Sequence, residues 1–202
     1  RGIQLLALEG MAIGFGWGAF DIGVPAFGTL EKVPERVGVF FAIMAVFNVI
    51  GGLVAGTVSR KISPLKAFRT NYIFWAVVSL PLAFTNMDWS IGLVTAALAF
   101  FGGTQQVFYW EITEAIRPKG TSVQVIAWLW TIEGTAMAAG TAIGGYIAEH
   151  FSPRYCFAAT TIALFFGLSV ISIGRKYLKS ADDLPTDEED VAAMEDNADK
   201  TK

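Results

Sequence analysis

The sequence predicts an all-α integral membrane fold, with six transmembrane helices arranged as two inverted three-helix repeats. Three observations predict it. The 202 residues are 53% hydrophobic and only 16% charged, against about 25% charged in a typical soluble domain. Apolar runs recur six times along the chain, separated by short polar connections. A pattern of Gly, Ser-Pro and Phe recurs at a fixed offset of 89 residues.

A bilayer core about 30 Å thick takes roughly 20 apolar residues in a helix. The runs place spans at 3–27, 37–58, 70–85, 89–110, 123–148 and 155–174. Lipid offers no partner to backbone N–H and C=O groups, so a span is a helix or part of a closed barrel. These runs are too long and too uniformly apolar for barrel strands, which alternate over about 10 residues. The third is the shortest and contains Pro81. Residues 1–179 therefore form one bundle. Residues 180–202 are an acidic tail holding nine of the 18 Asp and Glu residues. It has no aromatic residue and too few large apolar ones to order itself, so it reads as a solvated, disordered end.

The formal net charge of −3 hides a basic body of +4, with 13 bases against nine acids, and a tail of −7. Arg60, Lys61, Lys66, Arg69, Arg117, Lys119, Arg175, Lys176 and Lys179 fall on one side of the six spans, joined by Arg1. Only Lys32, Arg36 and Arg154 fall on the other. Basic residues mark the cytoplasmic face. The expected setting is a cell (plasma or inner) membrane, with both termini and the tail cytoplasmic. Cys156 is a single cysteine, so it fixes no disulfide and no redox compartment. The first run is too long for a signal-peptide core and lacks a cleavage site. The chain begins with Arg and reads as a piece of a longer polypeptide. No nucleic-acid motif and no metal-ligand cluster appears, and no cofactor is expected.

Many of the 21 glycines lie inside the spans. Small residues let helix backbones approach closely in lipid, and Gly14/Gly18 and Gly52/Gly56 are G-x-x-x-G pairs. Gly56 is followed by Ser63-Pro64 and Phe68, as Gly145 is by Ser152-Pro153 and Phe157. The offset relates the second span to the fifth, and the copies fall on opposite faces. Two three-helix units of opposite orientation would give this, an arrangement frequent in transporters whose site lies at the repeat interface.

The stretch PERVGVFFAIMAVFNVIGGLVAGTVSRKIS at 34–63 and the region 117–157, with AWLWT and GGYIAEHFSPRYCF, carry a resemblance. Up to about Lys179 the chain resembles the C-terminal half of a major facilitator superfamily transporter. The resemblance implies that the six spans are similar to helices seven to twelve of a twelve-helix protein working by alternating access. It implies a partner too, an N-terminal six-helix half in the same or a separate chain. Against the family's cytoplasmic loop motif, Gly56 fits the first Gly and Lys61 a basic position. Arg60 stands where Asp is expected, Ser63 where the second Gly is expected, and Pro64-Leu65 replace the basic pair.

Ionisable groups inside spans are costly and are functional candidates by default. Glu133 lies ten residues into the fifth span and 15 from its end. It is the first candidate to carry a proton, against a purely structural hydrogen bond between helices. Asp21 and Glu9 lie in the first span, 12 residues apart, or about 18 Å along a helix. Gln105 and Tyr109 share a face of the fourth span with Gln106 beside them, which suits a polar or amphipathic small molecule. Asn48, Trp130 and Trp17 complete the candidates. His150 reads as a solvated loop residue, and Glu111 and Glu114 as surface partners of Arg117 and Lys119. The resulting expectation is secondary active transport of a small solute, with H+ as a candidate coupling ion and the lipid bilayer as surroundings. The alternatives are a membrane-embedded enzyme, and a channel or structural membrane subunit. An enzyme is not expected, because no Ser/His pair, His-rich set or G-x-S-x-G lies in a span.

Overall fold

A computed structural model describes residues 1–58, 62–118 and 122–178. Arg60, Lys61, Lys119, Lys179 and the acidic tail lie outside the described residues. Within them the chain forms α1 (Gly2–Leu30), α2 (Arg36–Val58), α3 (Pro64–Ser79), α4 (Trp89–Ile116), α5 (Ser122–His150) and α6 (Pro153–Gly174), with 3-10 turns at Leu82–Phe84 and Arg175–Tyr177 and no strand. Four stretches are long and apolar enough to cross a membrane: Gly2–Leu30, Arg36–Val58, Trp89–Ile116 and Pro153–Tyr177. α5 has the length, at 29 residues, but lies outside this set.

The third element departs most from expectation. Its span was placed at 70–85, yet the helix runs Pro64–Ser79. Ser63 caps it, accepting from the Lys66 N–H at 3.3 Å, with Pro64 at the first helical position. Helix starts are set by caps rather than by apolarity, so Lys66 and Arg69 fall inside. Pro81 offers no N–H to prolong the helix, and the chain tightens into the 3-10 turn that follows. At 16 residues the helix is about 24 Å long. α4 also outruns its expected end at 110, closing at Ile116 before Arg117-Pro118. Residues preceding proline favour extended backbone, and Arg117 adopts ψ 148°.

α1 is the central helix, packed along α5 and α6; α2 packs along α4, and α3 packs against α4 and α6. Phe20, Phe27, Phe68, Tyr72 and Phe157 are fully enclosed at the heart of the bundle. Two seams are formed by glycine. A Cβ on Gly18 would collide with the Met137 carbonyl, and one on Gly140 with the Phe15 carbonyl. A Cβ on Gly103 would collide with the Asn48 carbonyl, and one on Gly51 with the Phe100 carbonyl. The second G-x-x-x-G pair does not serve as expected. Gly56 faces open space among the described residues, and Gly51, one residue before Gly52, makes the close approach. Large apolar side chains such as Leu53, Leu93, Ile162 and Ile173 stand exposed on the outer faces of α2, α4 and α6.

One end of the bundle is tied together by arginine. α1 closes in a Schellman turn: Val33 N–H donates to the Gly28 carbonyl, Lys32 N–H to that of Thr29, and Lys32 has φ 60°. This presents Glu31, whose carboxylate accepts from the Met87 N–H at 2.8 Å and lies 3.5 Å from Arg154 Nη2. Arg154 also donates to the Ala83 and Thr85 carbonyls at 3.1 and 2.7 Å and to Asn86 Oδ1 at 3.0 Å, and lies 4.7 Å over the Phe27 ring. Arg36 donates to the Met87 carbonyl at 2.7 Å. Asp88 caps α4 by accepting from the Ser90 N–H at 2.7 Å, and hydrogen bonding from Ser90 holds its carboxyl below the usual aspartate range.

Candidate functional site

A cavity opens among five of the six helices, with about 90 Å³ open to water-sized molecules, room for a few waters. α1 contributes Glu9, Gly10, Ile13 and Trp17; α2 contributes Asn48; α3 contributes Trp75. α4 contributes Gly102, Gln105, Gln106 and Tyr109, and α5 contributes Glu133. Glu9, Trp17, Asn48, Gln105, Gln106, Tyr109 and Glu133, all expected from the sequence as candidates, are thus brought to one place.

Its deep wall is polar yet under-bonded. Glu9, Gln105 and Trp75 are 1%, 3% and 2% exposed. Glu9 Oε2, Gln105 Nε2 and Trp75 Nε1 are buried with no hydrogen-bond partner among the described residues. Buried polar atoms are nearly always satisfied, so each such atom asks for an explanation. The amide of Gln105 is oriented by its neighbour: Asn71 Nδ2 donates to Gln105 Oε1 at 2.7 Å and to the Phe101 carbonyl at 3.0 Å. That occupies the Gln105 oxygen and leaves the NH₂ group of this cavity-lining residue unpartnered among the described residues. Tyr72 faces Glu9 from α3, but its hydroxyl makes no hydrogen bond of regular geometry. Tyr109 donates weakly to the Leu6 carbonyl at 3.4 Å.

The rim is more open. Asn48 and Gln106 are exposed and Glu133 is half-buried. Asn48 donates to the Ala99 carbonyl at 3.4 Å. Trp17 and Trp75 form the aromatic wall, with ring centroids 6.1 Å apart and planes at 42°. Glu9 on α1 and Glu133 on α5 line the same cavity. No Lys, Arg or His among the described residues lines the cavity or forms an ion pair with either acid.

Two candidates lie elsewhere. Asp21 is half-buried on α1, three turns beyond Glu9 and away from the cavity. Trp130 is 62% exposed and stacks on Trp110 at 6.4 Å; it shares a helix with Glu133 but not its environment. His150 stacks on Tyr146 and bonds its carbonyl at 3.0 Å on the exposed end of α5, clear of Arg154. Glu114 pairs with Arg117, whereas Glu111 Oε2 is buried without a partner among the described residues. Gly56 lies on the open face of α2, and the rest of the loop-motif remnant, Arg60 and Lys61, is outside the described residues. Sequence reasoning missed Trp75, which lines the cavity, and Asn71 and Tyr72, which stand behind its wall once α3 is packed.

Comparison of the chain with protein-family models, with curated proteins and with solved structures gives no match.

Proposed function

We propose that this chain is a six-helix membrane bundle that carries a small solute across the bilayer by alternating access, with Glu133 and Glu9 as candidate proton carriers. The observation behind the reading is the cavity: buried polar atoms without partners, enclosed among apolar helices. In lipid such atoms are costly and mark a path or a site. The exposed apolar side chains on α2, α4 and α6 suit a hydrocarbon surround. The basic loops favour a cell membrane with both termini cytoplasmic.

The pairing of contacts supports an inverted repeat. An offset of 85 residues relates α1 to α4, and one of 89 relates α2 to α5 and α3 to α6. Under these offsets Gly18 against Met137 becomes Gly103 against Asn48, and Gly140 against Phe15 becomes Gly51 against Phe100. Ser63-Pro64 and Ser152-Pro153 each supply the cap and first residue of their helix. Buried Leu6, Ile13 and Phe27 correspond to buried Ile91, Leu98 and Ile112, while Phe20 corresponds to Gln105. The repeat thus replaces a core ring by an amide at the cavity wall. This pattern favours membership of the major facilitator superfamily, as the C-terminal half. Asn48, Gln106 and Glu133 at the rim would then face an N-terminal six-helix half, in the same chain or a separate subunit. A start codon immediately before Arg1, with no hydrophobic segments encoded upstream, excludes the covalent form.

The test is uptake by the full-length protein in proteoliposomes, with a panel of sugars, carboxylates and amines and an imposed proton gradient. At least one solute should enter above the rate of empty liposomes, and faster with the gradient. Glu133→Gln should abolish gradient-driven accumulation while sparing equilibrium binding. Unchanged gradient-dependent uptake in that variant rejects proton coupling through Glu133, and no uptake across the panel rejects the carrier reading.

A further inference from the structure

Resting on that carrier reading, we infer that the cavity binds a compact organic cation: a protonated amine with an aromatic or apolar body and one oxygen acceptor. Each part of this description answers a group on the wall. The titratable groups lining the cavity are Glu9 from α1, Tyr109 from α4 and Glu133 from α5, with Tyr72 of α3 buried behind Glu9. Among the described residues α2 and α6 add none, and no basic side chain lines it. Two acids share the space, and Glu9 Oε2 is buried without a hydrogen bond of regular geometry, with only the Tyr72 hydroxyl beside its carboxylate. A bound ammonium supplies both the missing charge and the missing donor. An anion would meet two carboxyl groups, and a neutral solute would leave them unpaired.

The aromatic wall points the same way. Trp17 and Trp75 are tilted to each other at 42° with centroids 6.1 Å apart, and indole is the best of the side-chain faces for a cation. The oxygen acceptor follows from the two orphaned donors, Gln105 Nε2 and Trp75 Nε1. A carboxylate cannot donate to a ligand oxygen, whereas these two N–H groups, with the Asn48, Gln106 and Tyr109 donors of the same lining, can.

The experiment is equilibrium binding to the full-length protein in lipid nanodiscs near neutral pH, with three probes sharing one skeleton: 2-phenoxyethylamine, 2-phenoxyethanol and phenoxyacetate. The amine should bind at least about tenfold more tightly than the alcohol, and phenoxyacetate most weakly. Glu9→Gln, nearly isosteric, should weaken the amine by about 30-fold and the alcohol little. Helical circular dichroism and a single size-exclusion peak establish that the variant is folded. Trp75→Phe keeps the ring and removes the N–H. It should weaken 2-phenoxyethylamine about fivefold but leave 3-phenylpropylamine, which lacks the ether oxygen, unchanged. Binding of the alcohol or the acid as tightly as the amine overturns the inference, as does amine affinity indifferent to Glu9→Gln. Failure of all three probes to bind overturns it too. The carrier reading falls separately, only if no solute of the uptake panel is transported.

Discussion

Asn71 donates through one amide nitrogen to both the Phe101 carbonyl and the Gln105 side chain, so a residue behind the cavity wall decides which atom of Gln105 the cavity meets. Asn71→Leu removes both bonds and leaves Gln105 Oε1 buried and unpaired. The expected cost is about 1–3 kcal/mol, read as a lower midpoint for thermal unfolding in detergent, with a weaker ligand response. An unchanged midpoint would show that the amide pair is dispensable. Most of the cavity is legible from the sequence at this scale, because polar residues such as Glu9, Asn48, Gln105 and Glu133 stand out in apolar runs. Asn71 is not, for a specific reason. With the span placed at 70–85 it is the second residue and reads as interfacial; with the helix starting at Pro64 it is two turns inside. Trp75 carries no signal of its own, since an aromatic in a span is as much at home facing lipid as facing a ligand.

At the scale of the element, apolarity and helix limits are separate properties. Ser63 and Ser152 caps, and Asp88 before α4, start helices regardless of where hydropathy rises. The six helices are readable from the runs, while their ends follow capping chemistry that a hydropathy window averages away. The seams are the other lesson. A glycine pair four apart is a good sign of close packing for Gly14/Gly18, but in α2 the seam runs through Gly51 instead, because the helical phase that faces α4 is set by the partner. Gly103→Val would drive a branched side chain into the Asn48 backbone. Its expected cost is about 1–3 kcal/mol, whereas Gly56→Ala, on the open face, should be neutral or slightly stabilising. The two are compared by thermal unfolding in the same detergent. Equal effects would mean that the α2–α4 seam contributes nothing to stability.

Over the whole molecule, the loops at one end are drawn together by the Arg154 guanidinium, which reaches from the start of α6 to the turn after α3 and the end of α1. In the sequence Arg154 is one of three bases on its face; the charge count is visible there but the clasp is not, since two of its acceptors are backbone carbonyls without any residue signature and the side chains it meets, Asn86 and Glu31, are distant along the chain. Arg154→Ala should speed hydrogen–deuterium exchange in 31–36 and 82–88 and leave α4 near Thr104 protected. Protection unchanged in those loops would show that the tie is ornamental. Such a clasp has a mechanical meaning. Backbone-to-backbone seams have few interlocking side chains to disengage, and the bundle is fastened at one end. In the proposed transport cycle, helices held this way would act as levers: a swing of about 10° at the Arg154 end would displace a point about 30 Å along a helix by about 5 Å, roughly one helical turn. Little need change at the fulcrum for the far end to part, and the cavity, set between the two, would widen by only a fraction of that distance.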